Sequence, residues 1–282
     1  MWIFKTVNEI QHFLSAAKVK GQIIGFAPTM GALHGGHLAL IEESKKDTDV
    51  TVCSIFVNPT QFNDPADLEK YPRPIEADVE KLIEAGCDVL FLPSVEEIYP
   101  EGKDIKEPLQ FAAHTDEMEG EFRPGHFAGM AQVVERFLRI INPDKIYMGQ
   151  KDLQQCQIVG SMIEQRGLPV EMVTVATIRE PSGLAMASRN TRLTETGRKN
   201  AVALSKALKR VVDLAKPGVK SEYLRQEGIK VFESFDVVDM EYFEVRERPD
   251  LLPFDEVQTG KEYAVLTAAK VGEARLLDNM LF

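Results

Sequence analysis

The sequence has little cysteine and no long apolar run. Its 282 residues include three cysteines, none of them in a C-x-x-C pair, so we expect neither a disulfide framework nor a cysteine zinc site. No run approaches the ~18 apolar residues of a membrane span, and the start lacks the charged segment, apolar segment and cleavage site of a secretory signal. These absences predict a soluble protein of the cytoplasm that does not bind membranes.

Basic residues are also scarce relative to acidic ones. Lys and Arg number 33 against 44 Asp and Glu, a net charge of −11. Binding nucleic acid non-specifically requires an excess of Lys and Arg along the contact face, so we expect no nucleic-acid partner. A local basic site for a phosphate-bearing ligand is compatible with this charge.

Two common nucleotide-binding signatures are missing. The chain has no G-x-x-x-x-G-K-[S/T] segment, and the glycines between residues 31 and 36 do not fit G-x-G-x-x-G. If the protein binds ATP, it must therefore do so through a different motif.

The first two-thirds of the chain alternates short apolar runs with amphipathic stretches. Runs that are apolar on both faces are typical of central strands in a parallel sheet covered by helices. We therefore predict an α/β fold with a doubly wound parallel sheet and right-handed crossovers. The predicted strands are 23–27, 50–57, 88–92, 145–148 and 172–178, and the predicted helices are 37–46, 75–85, 127–141 and 153–165.

The pattern changes after about residue 190. Thr194 is suited to cap a long helix that Pro217 and Gly218 would end. A second helix and two strands follow, which predicts a smaller α+β domain. The predicted ranges are 221–234 for that helix, 237–245 and 263–269 for the strands, and 1–185 and 186–282 for the two domains.

Two histidines lie where the first predicted strand turns into a helix. In open α/β sheets, ligands bind beyond the carboxyl ends of the strands, and the N-terminus of a helix attracts phosphate through its unpaired N–H groups. His34 and His37 could both donate to phosphate oxygens there, and Gly35 and Gly36 would let a ligand approach the backbone. The alternative is a glycine-rich turn with two solvated histidines.

Polar side chains follow other predicted strands as well. Lys151 could reach a phosphate at the same edge of the sheet, although a solvated lysine is the commoner case. Ser188 and Arg189 lie in a loop that could close over a triphosphate or serve as a linker. Gln61 and Gln155 both donate and accept, which suits hydroxyl and carboxylate groups, but each alone could be an ordinary surface amide.

Five segments, in this order, resemble the motifs of the pantothenate synthetase (pantoate–β-alanine ligase) family. The likeness spans nearly the whole chain, and several motifs in order are more specific than any one of them. The segments are residues 28–37 (PTMGALHGGH), 56–62 (FVNPTQF), 123–127 (RPGHF), 151–155 (KDLQQ) and 188–190 (SRN).

The resemblance implies a fold and a reaction. The fold is a Rossmann-like domain whose histidine motif is shared with class I aminoacyl-tRNA synthetases and nucleotidylyltransferases. In the reaction, the carboxylate of (R)-pantoate attacks the α-phosphorus of ATP, in the presence of Mg²⁺, to give pantoyl adenylate and pyrophosphate. The amine of β-alanine then attacks the acyl carbon and AMP leaves. The resemblance also implies a homodimer in the cytoplasm.

The resemblance also implies roles for individual residues. His37 would be the catalytic proton donor or charge-stabilising group, with His34 assisting at the phosphates. Gln61 would bind pantoate and border the β-alanine site, and Gln155 would hold pantoate. The ATP-binding residues would be Met30, Gly31, Ala32, Leu33, His34, Gly35, Gly36, His37, Gly149, Gln150, Lys151, Asp152, Ile178 near the adenine, Met186, Ala187, Ser188 and Arg189.

Three further residues are implied in supporting roles. Arg123 and His126 would act from behind the substrate-binding residues, and Asp78 is a candidate for a water-mediated contact with Mg²⁺. We predict no direct metal ligand from the protein.

Two positions depart from the family pattern, which usually has Ser where this chain has Ala187 and Glu where it has Gln150. A lost hydroxyl removes at most one hydrogen bond of ~1 kcal/mol, so we expect a working enzyme. The alternatives are a nucleotidylyltransferase that keeps AMP on its product and a non-catalytic nucleotide-binding module. A tRNA synthetase is disfavoured, since no anticodon-reading domain fits in 282 residues.

Overall fold

The computed structural model describes residues 1–62, 65–104, 109–110, 115–235 and 238–282. The chain packs as two compact units, each formed by several segments. The first unit comprises Met1–Phe111, Arg123–Gly149 and Gln154–Ala176, and the second comprises Ala112–Phe122, Gln150–Leu153 and Thr177–Phe282. These units are defined by packing. The predicted division into a nucleotide-binding domain, 1–185, and a smaller domain, 186–282, was a division by function, and it stays a prediction.

The first unit is built on a six-stranded sheet with strand order β1-β4-β3-β2-β5-β6, in which every pairing is parallel. The strands are β1 (Trp2–Phe4), β2 (Ile24–Thr29), β3 (Val50–Ile55), β4 (Val89–Phe91), β5 (Lys145–Gly149) and β6 (Glu171–Val175). The order reverses between β2 and β5, so their carboxyl ends flank the crevice where such sheets bind ligands. The predicted doubly wound sheet is confirmed.

Helices cover both faces of this sheet, which is why its strands are apolar on both sides. The helices of the unit are α1 (Val7–Val19), α2 (Gly35–Asp47), α3 (Pro65–Lys70), α4 (Ile75–Glu84), α5 (Val95–Ile98), α7 (His126–Ile141) and α8 (Leu153–Arg166). One core contains buried residues of α1, α7 and α8, and the other contains residues of α2 and α4. All six residues of β3 are buried between them.

The second unit contains a three-stranded antiparallel sheet formed by β7 (Val238–Glu247), β8 (Tyr263–Val271) and β9 (Ala274–Leu281). Helices α9 (Glu195–Leu214) and α10 (Ser221–Phe232) pack against it, and α6 (Glu119–Phe122) also belongs to this unit. The predicted cap is present, since the Thr194 hydroxyl accepts from the Gly197 N–H at 3.0 Å. The predicted α+β class of this unit is therefore confirmed.

Several elements were missed from the sequence, among them β1, α1 and β9. Residue 237, where one strand was predicted to begin, lies outside the described residues. The last predicted strand of the parallel sheet was too long, because β6 ends at Val175 rather than at residue 178.

The three cysteines are predicted to be chemically inert in the folded protein. Cys53, Cys87 and Cys156 are all buried and none forms a disulfide, and burial raises the pKa of the Cys53 thiol well above its usual range and that of Cys87 to about 11. Because the thiolate is the reactive form, a thiol reagent at neutral pH should label none of them quickly. Denaturant should expose all three, and fast labelling of the native chain would contradict this packing.

Candidate active site

The loop between β2 and α2 carries the candidate nucleotide site of the first unit. Gly31 and Ala32 both have left-handed backbones, with φ of +80° and +51°, and the chain then enters α2 at Gly35. Asp78 of α4 lies beneath this loop, fully buried. Its carboxylate accepts the N–H groups of Ala32 and Leu33, each at 2.7 Å. Both carboxylate oxygens of Asp78 are therefore used to hold the loop. The water-mediated contact of Asp78 with Mg²⁺ stays a prediction.

The two histidines lie together at the start of α2. Their ring centroids are 4.0 Å apart. Nδ1 of His34 accepts from the Gly36 N–H at 3.1 Å, and Nδ1 of His37 accepts from the His34 N–H at 3.4 Å. An accepting Nδ1 carries no proton, so each ring is the tautomer with its proton on Nε2. The sequence predicted unpaired backbone N–H groups at the start of α2. At Gly36 this is wrong, because the His34 side chain caps the helix by accepting that N–H.

Gly36 is required by this arrangement. A Cβ there would lie 2.9 Å from Cε1 of His34, closer than real Cβ contacts allow, so a side chain would displace the ring. The motif thus needs a glycine here for packing as well as for access to a ligand.

Gln61 is buried and held in one orientation. Asn58 Nδ2 donates to Gln61 Oε1 at 3.1 Å, and Tyr99 donates its hydroxyl to Asn58 Oδ1 at 2.7 Å. The Gln61 Nε2 group therefore faces Met30, donating to its Sδ at 3.0 Å. A thioether is a weak acceptor, so a stronger ligand oxygen could take its place. Neither Asn58 nor Tyr99 was singled out from the sequence.

Arg123 and His126 hold the backbone of Gln61. His126 Nδ1 lies 3.0 Å from the Gln61 carbonyl oxygen, and Arg123 Nη2 donates to the same oxygen at 3.3 Å. Arg123 Nη1 lies 3.1 Å from His126 Nε2. Because arginine only donates, Nε2 accepts and Nδ1 carries the proton toward Gln61. Both side chains therefore contact the backbone of Gln61, and their supporting role in substrate binding stays a prediction.

The remaining predicted residues of the first unit follow β5. Gly149 ends this strand, and Gln155 lies half-buried in the first turn of α8. Because β5 pairs with β2 in parallel, both residues lie at the same edge of the sheet as the histidine loop.

Other predicted residues belong to the second unit. Asn279 of β9 holds the short turn formed by Gln150, Lys151 and Asp152, because its Nδ2 donates to the carbonyls of residues 150 and 151, each at 2.8 Å. The Gln150 amide donates back to Asn279 Oδ1 at 3.2 Å. Lys151 Nζ lies 3.2 Å from the Asp152 carboxylate. Gln150, which stands where the family usually has Glu, thus makes a specific hydrogen bond with Asn279 in this chain.

Residues 178–192 form a loop in the second unit, in which Arg179 and Ala185 make an isolated antiparallel bridge. Arg179 binds the buried carboxylate of Asp278 in bidentate fashion, at 2.6 and 2.9 Å. Burial raises the pKa of Asp278, and Arg179 opposes that shift. Ala187 precedes a short 3₁₀ helix, Ser188–Arg192, and Ile178 is partly exposed. Met186 donates its N–H to the Ile178 carbonyl at 2.9 Å.

Among the residues that the structure describes, no three His, Cys, Asp or Glu side chains come together in a way that could hold a metal ion. Within the same ranges, no helix combines the length and apolarity that crossing a bilayer requires.

Comparison with known proteins identifies the family. The model of the family described as pantoate-beta-alanine ligase matches residues 2–281. The chain belongs to the pantoate–β-alanine ligase family. A pantothenate synthetase of Porphyromonas gingivalis W83 is 41% identical over 282 residues, covering 100% of this chain and 99% of the relative. One from Aquifex aeolicus VF5 is 39% identical, with 98% and 97% covered.

Solved structures agree with this assignment. The pantothenate synthetase of Thermus thermophilus matches with a TM-score of 0.92 and 38% identity over 99% of both chains. The pantoate–β-alanine ligase of Francisella tularensis, complexed with beta-gamma ATP and β-alanine, matches with a TM-score of 0.81 and 32% identity, covering 100% of this chain and 97% of that one. The predicted family and enzyme class, an amide-forming and AMP-forming ligase, are confirmed.

Proposed function

We propose that this chain joins (R)-pantoate to β-alanine and converts ATP to AMP and pyrophosphate through a pantoyl-adenylate intermediate. The match to the pantoate–β-alanine ligase family over residues 2–281 is the observation that carries the proposal. The relative from Francisella tularensis, complexed with beta-gamma ATP and β-alanine, supports these two substrates. The relatives described above are named pantothenate synthetases and a pantoate–β-alanine ligase, which supports this function rather than a nucleotidylyltransferase or a non-catalytic binding module.

In the first step, residues 30–37 bind the phosphates of ATP while the pantoate carboxylate attacks the α-phosphorus. Charge accumulates on the departing pyrophosphate, and positioned donors stabilise it. The Nε2–H tautomer of His34 and His37, which the Nδ1 contacts require, supplies two such donors at the N-terminus of α2. His37 is the catalytic residue of this step.

Pantoate is held by two neutral amides. Gln61 has its Oε1 occupied by Asn58, so it presents its Nε2 as a donor. A carboxylate or hydroxyl oxygen of pantoate replaces the sulfur of Met30 as the acceptor. Gln155 provides the second amide at the same edge of the sheet.

In the second step, the β-alanine amine attacks the acyl carbon of the adenylate, and AMP leaves with the bridging oxygen. Lys151 and Arg189 contribute positive charge to nucleotide binding, together with Gly149, Gln150, Asp152, Ile178, Met186, Ala187 and Ser188. This part of the proposal rests on the order of the family motifs. Backbone N–H groups can donate at Ala187, where the family usually has a serine hydroxyl.

Mg²⁺ enters as part of the ATP complex. Among the described residues no carboxylate, imidazole or thiol cluster is suited to a metal, and both Asp78 oxygens accept backbone N–H groups. Phosphate and water oxygens, which Mg²⁺ prefers, would hold the ion. From the family resemblance we further propose a homodimer that works in the cytoplasm.

A substrate-omission assay tests the function. The chain is incubated with ATP, Mg²⁺, pantoate and β-alanine, each component is omitted in turn, and AMP, pyrophosphate and amide are measured. We expect equal amounts of all three products, and none when pantoate is omitted. AMP retained on the product would indicate a transferase, and ATP binding without pantoate-dependent pyrophosphate release would indicate a binding module.

Tyr99→Phe is predicted to weaken pantoate binding. Removal of the hydroxyl takes away the shortest of the hydrogen bonds to Asn58 Oδ1, at 2.7 Å, so Asn58 holds the Gln61 amide less firmly in the orientation that presents Nε2 as a donor. One neutral hydrogen bond is worth ~1 kcal/mol, so the KM for pantoate should rise about fivefold, with the KM for ATP little changed. Steady-state kinetics measures both. Tyr223→Phe, at an exposed position on α10, is the control, and an unchanged pantoate KM would contradict the role of Tyr99.

A further inference from the structure

We propose that Asp78 and Lys81 of α4 form a clamp on loop 31–33 and act as positioning residues for adenylyl transfer. The proposal rests on the proposed function, because the step that it serves is formation of the adenylate. In this role neither side chain needs to touch a substrate. They act on the backbone that leads into the two histidines.

The carboxylate of Asp78 grips one side of the loop. Its side chain is fully buried, and each oxygen accepts one backbone N–H, from Ala32 and from Leu33, at 2.7 Å. Two adjacent N–H donors need two acceptors, so an amide at this position would satisfy one and oppose the other. Gly31 makes room for the carboxylate, since a Cβ there would lie 3.1 Å from Asp78 Oδ2 and 3.0 Å from Ile55.

Lys81 grips the other side of the same segment. It lies three residues after Asp78, on the same face of α4, and its Nζ donates to the Leu33 carbonyl at 2.7 Å. The ammonium group is also 4.0 Å from Asp78 Oδ1, so it offsets the charge of the buried carboxylate. Leu33 is therefore held by α4 through both its N–H and its C=O.

The clamp holds a conformation that the chain would not adopt easily on its own. Ala32 has φ of +51°, which non-glycine residues adopt only when their surroundings impose it. The residue after Leu33 is His34, which caps α2 and donates its N–H to Nδ1 of His37. The clamp thus sets the position of His34 and, through that bond, the ring of His37.

Three variants and one control test the clamp in the full-length chain. Asp78→Asn removes one acceptor, Lys81→Met removes the donor to Leu33, and Lys81→Arg keeps a donor. Glu80→Gln, at an exposed position on the same helix, is the control with the same change in charge as Asp78→Asn. The readouts are hydrogen exchange at the Ala32 and Leu33 amides, thermal unfolding, and pantoate-dependent exchange of labelled pyrophosphate into ATP.

We expect the two amides to exchange at least about tenfold faster in Asp78→Asn, because a bond to a charged acceptor is lost. In Lys81→Met we expect the kcat of pyrophosphate exchange to fall about tenfold at a similar KM for ATP, whereas Lys81→Arg and Glu80→Gln should stay near the wild type. If Asp78→Asn does not fold, the kcat values of Lys81→Met and Lys81→Arg still test whether the clamp positions the histidines.

Two results would overturn the clamp. One is amide exchange in Asp78→Asn equal to that in Glu80→Gln. The other is a Lys81→Met variant with unchanged kcat, or with a loss that lies entirely in the KM for ATP, which would indicate direct contact with the nucleotide. A wild-type chain without any pantoate-dependent exchange would refute the proposed function instead, and the amide readout would still test whether the clamp exists.

Discussion

The His37→Ala variant should form pantoyl adenylate about 10²- to 10⁴-fold more slowly than the wild type, while its affinity for ATP changes only a few-fold. The reason is that His37 stabilises the negative charge that develops on the departing pyrophosphate in the transition state, rather than the charge already present on bound ATP. Loss of an interaction made mainly in the transition state lowers kcat more than binding. Rapid-quench measurement of pyrophosphate in a single turnover gives the rate, and equilibrium titration gives the ATP affinity.

The matched control is His12→Ala, which removes an exposed imidazole on α1 of the same unit. It should leave both quantities unchanged. If His37→Ala loses rate and affinity in equal measure, His37 merely binds ATP and its catalytic role is wrong. His34→Ala is expected to be less specific, because it also removes the cap of α2 at Gly36.

The second large effect is predicted for Arg179→Met, which should cost about 3–5 kcal/mol of folding free energy. Asp278 is 3% exposed, and Arg179 supplies two of its hydrogen bonds, at 2.6 and 2.9 Å. The variant would leave a buried carboxylate without its cation and would release the loop that follows β6. Urea unfolding at neutral pH, compared with the wild type, measures the loss.

This loss should depend on pH in a defined direction. Burial raises the pKa of Asp278 above its usual value of 3.8 and Arg179 opposes the shift, so the variant should have a still higher folded pKa. A carboxyl with a raised folded pKa destabilises the fold when ionised, and that cost disappears as the pH falls through the folded pKa. The stability gap to the wild type should therefore be largest at neutral pH and shrink in mild acid.

The double variant Arg179→Met/Asp278→Asn provides the control. It removes both charges, so at neutral pH it should be more stable than Arg179→Met alone. A double variant as unstable as the single one, or a stability gap that is the same at every pH, would show that the ionised carboxylate is not the source of the loss.

Local patterns in the sequence were enough to predict the strands and helices that position the site. The nearly unbroken apolar run around β3, which is rich in β-branched residues, predicts a strand that is buried on both faces, and every residue of β3 is buried. Thr194 signals the start of α9, and the helix begins one residue later. The histidine motif was placed at a strand-to-helix turn because it follows the apolar run 23–27 and leads into the predicted helix 37–46.

The missed elements and contacts depend on partners far away in the chain. Strand β1 has three residues, two of them exposed, so it shows no periodicity. Buried Asp278 and Asn279 interrupt the apolar pattern of β9, and their partners Arg179 and Gln150 lie 99 and 129 residues away. The contacts of Asn58 with Tyr99 and of Asp78 with Leu33 span 41 and 45 residues. Local periodicity has no information on such pairs.

The central claim is that an acyl adenylate connects the two half-reactions, and oxygen isotope transfer tests it most directly. Pantoate labelled with ¹⁸O in its carboxylate is converted with ATP and β-alanine, and the products are analysed by mass spectrometry. Attack at the α-phosphorus predicts one labelled oxygen in AMP, none in pyrophosphate and one in the new amide carbonyl. AMP without label, or label in a pyrophosphate or phosphate product, would contradict the account.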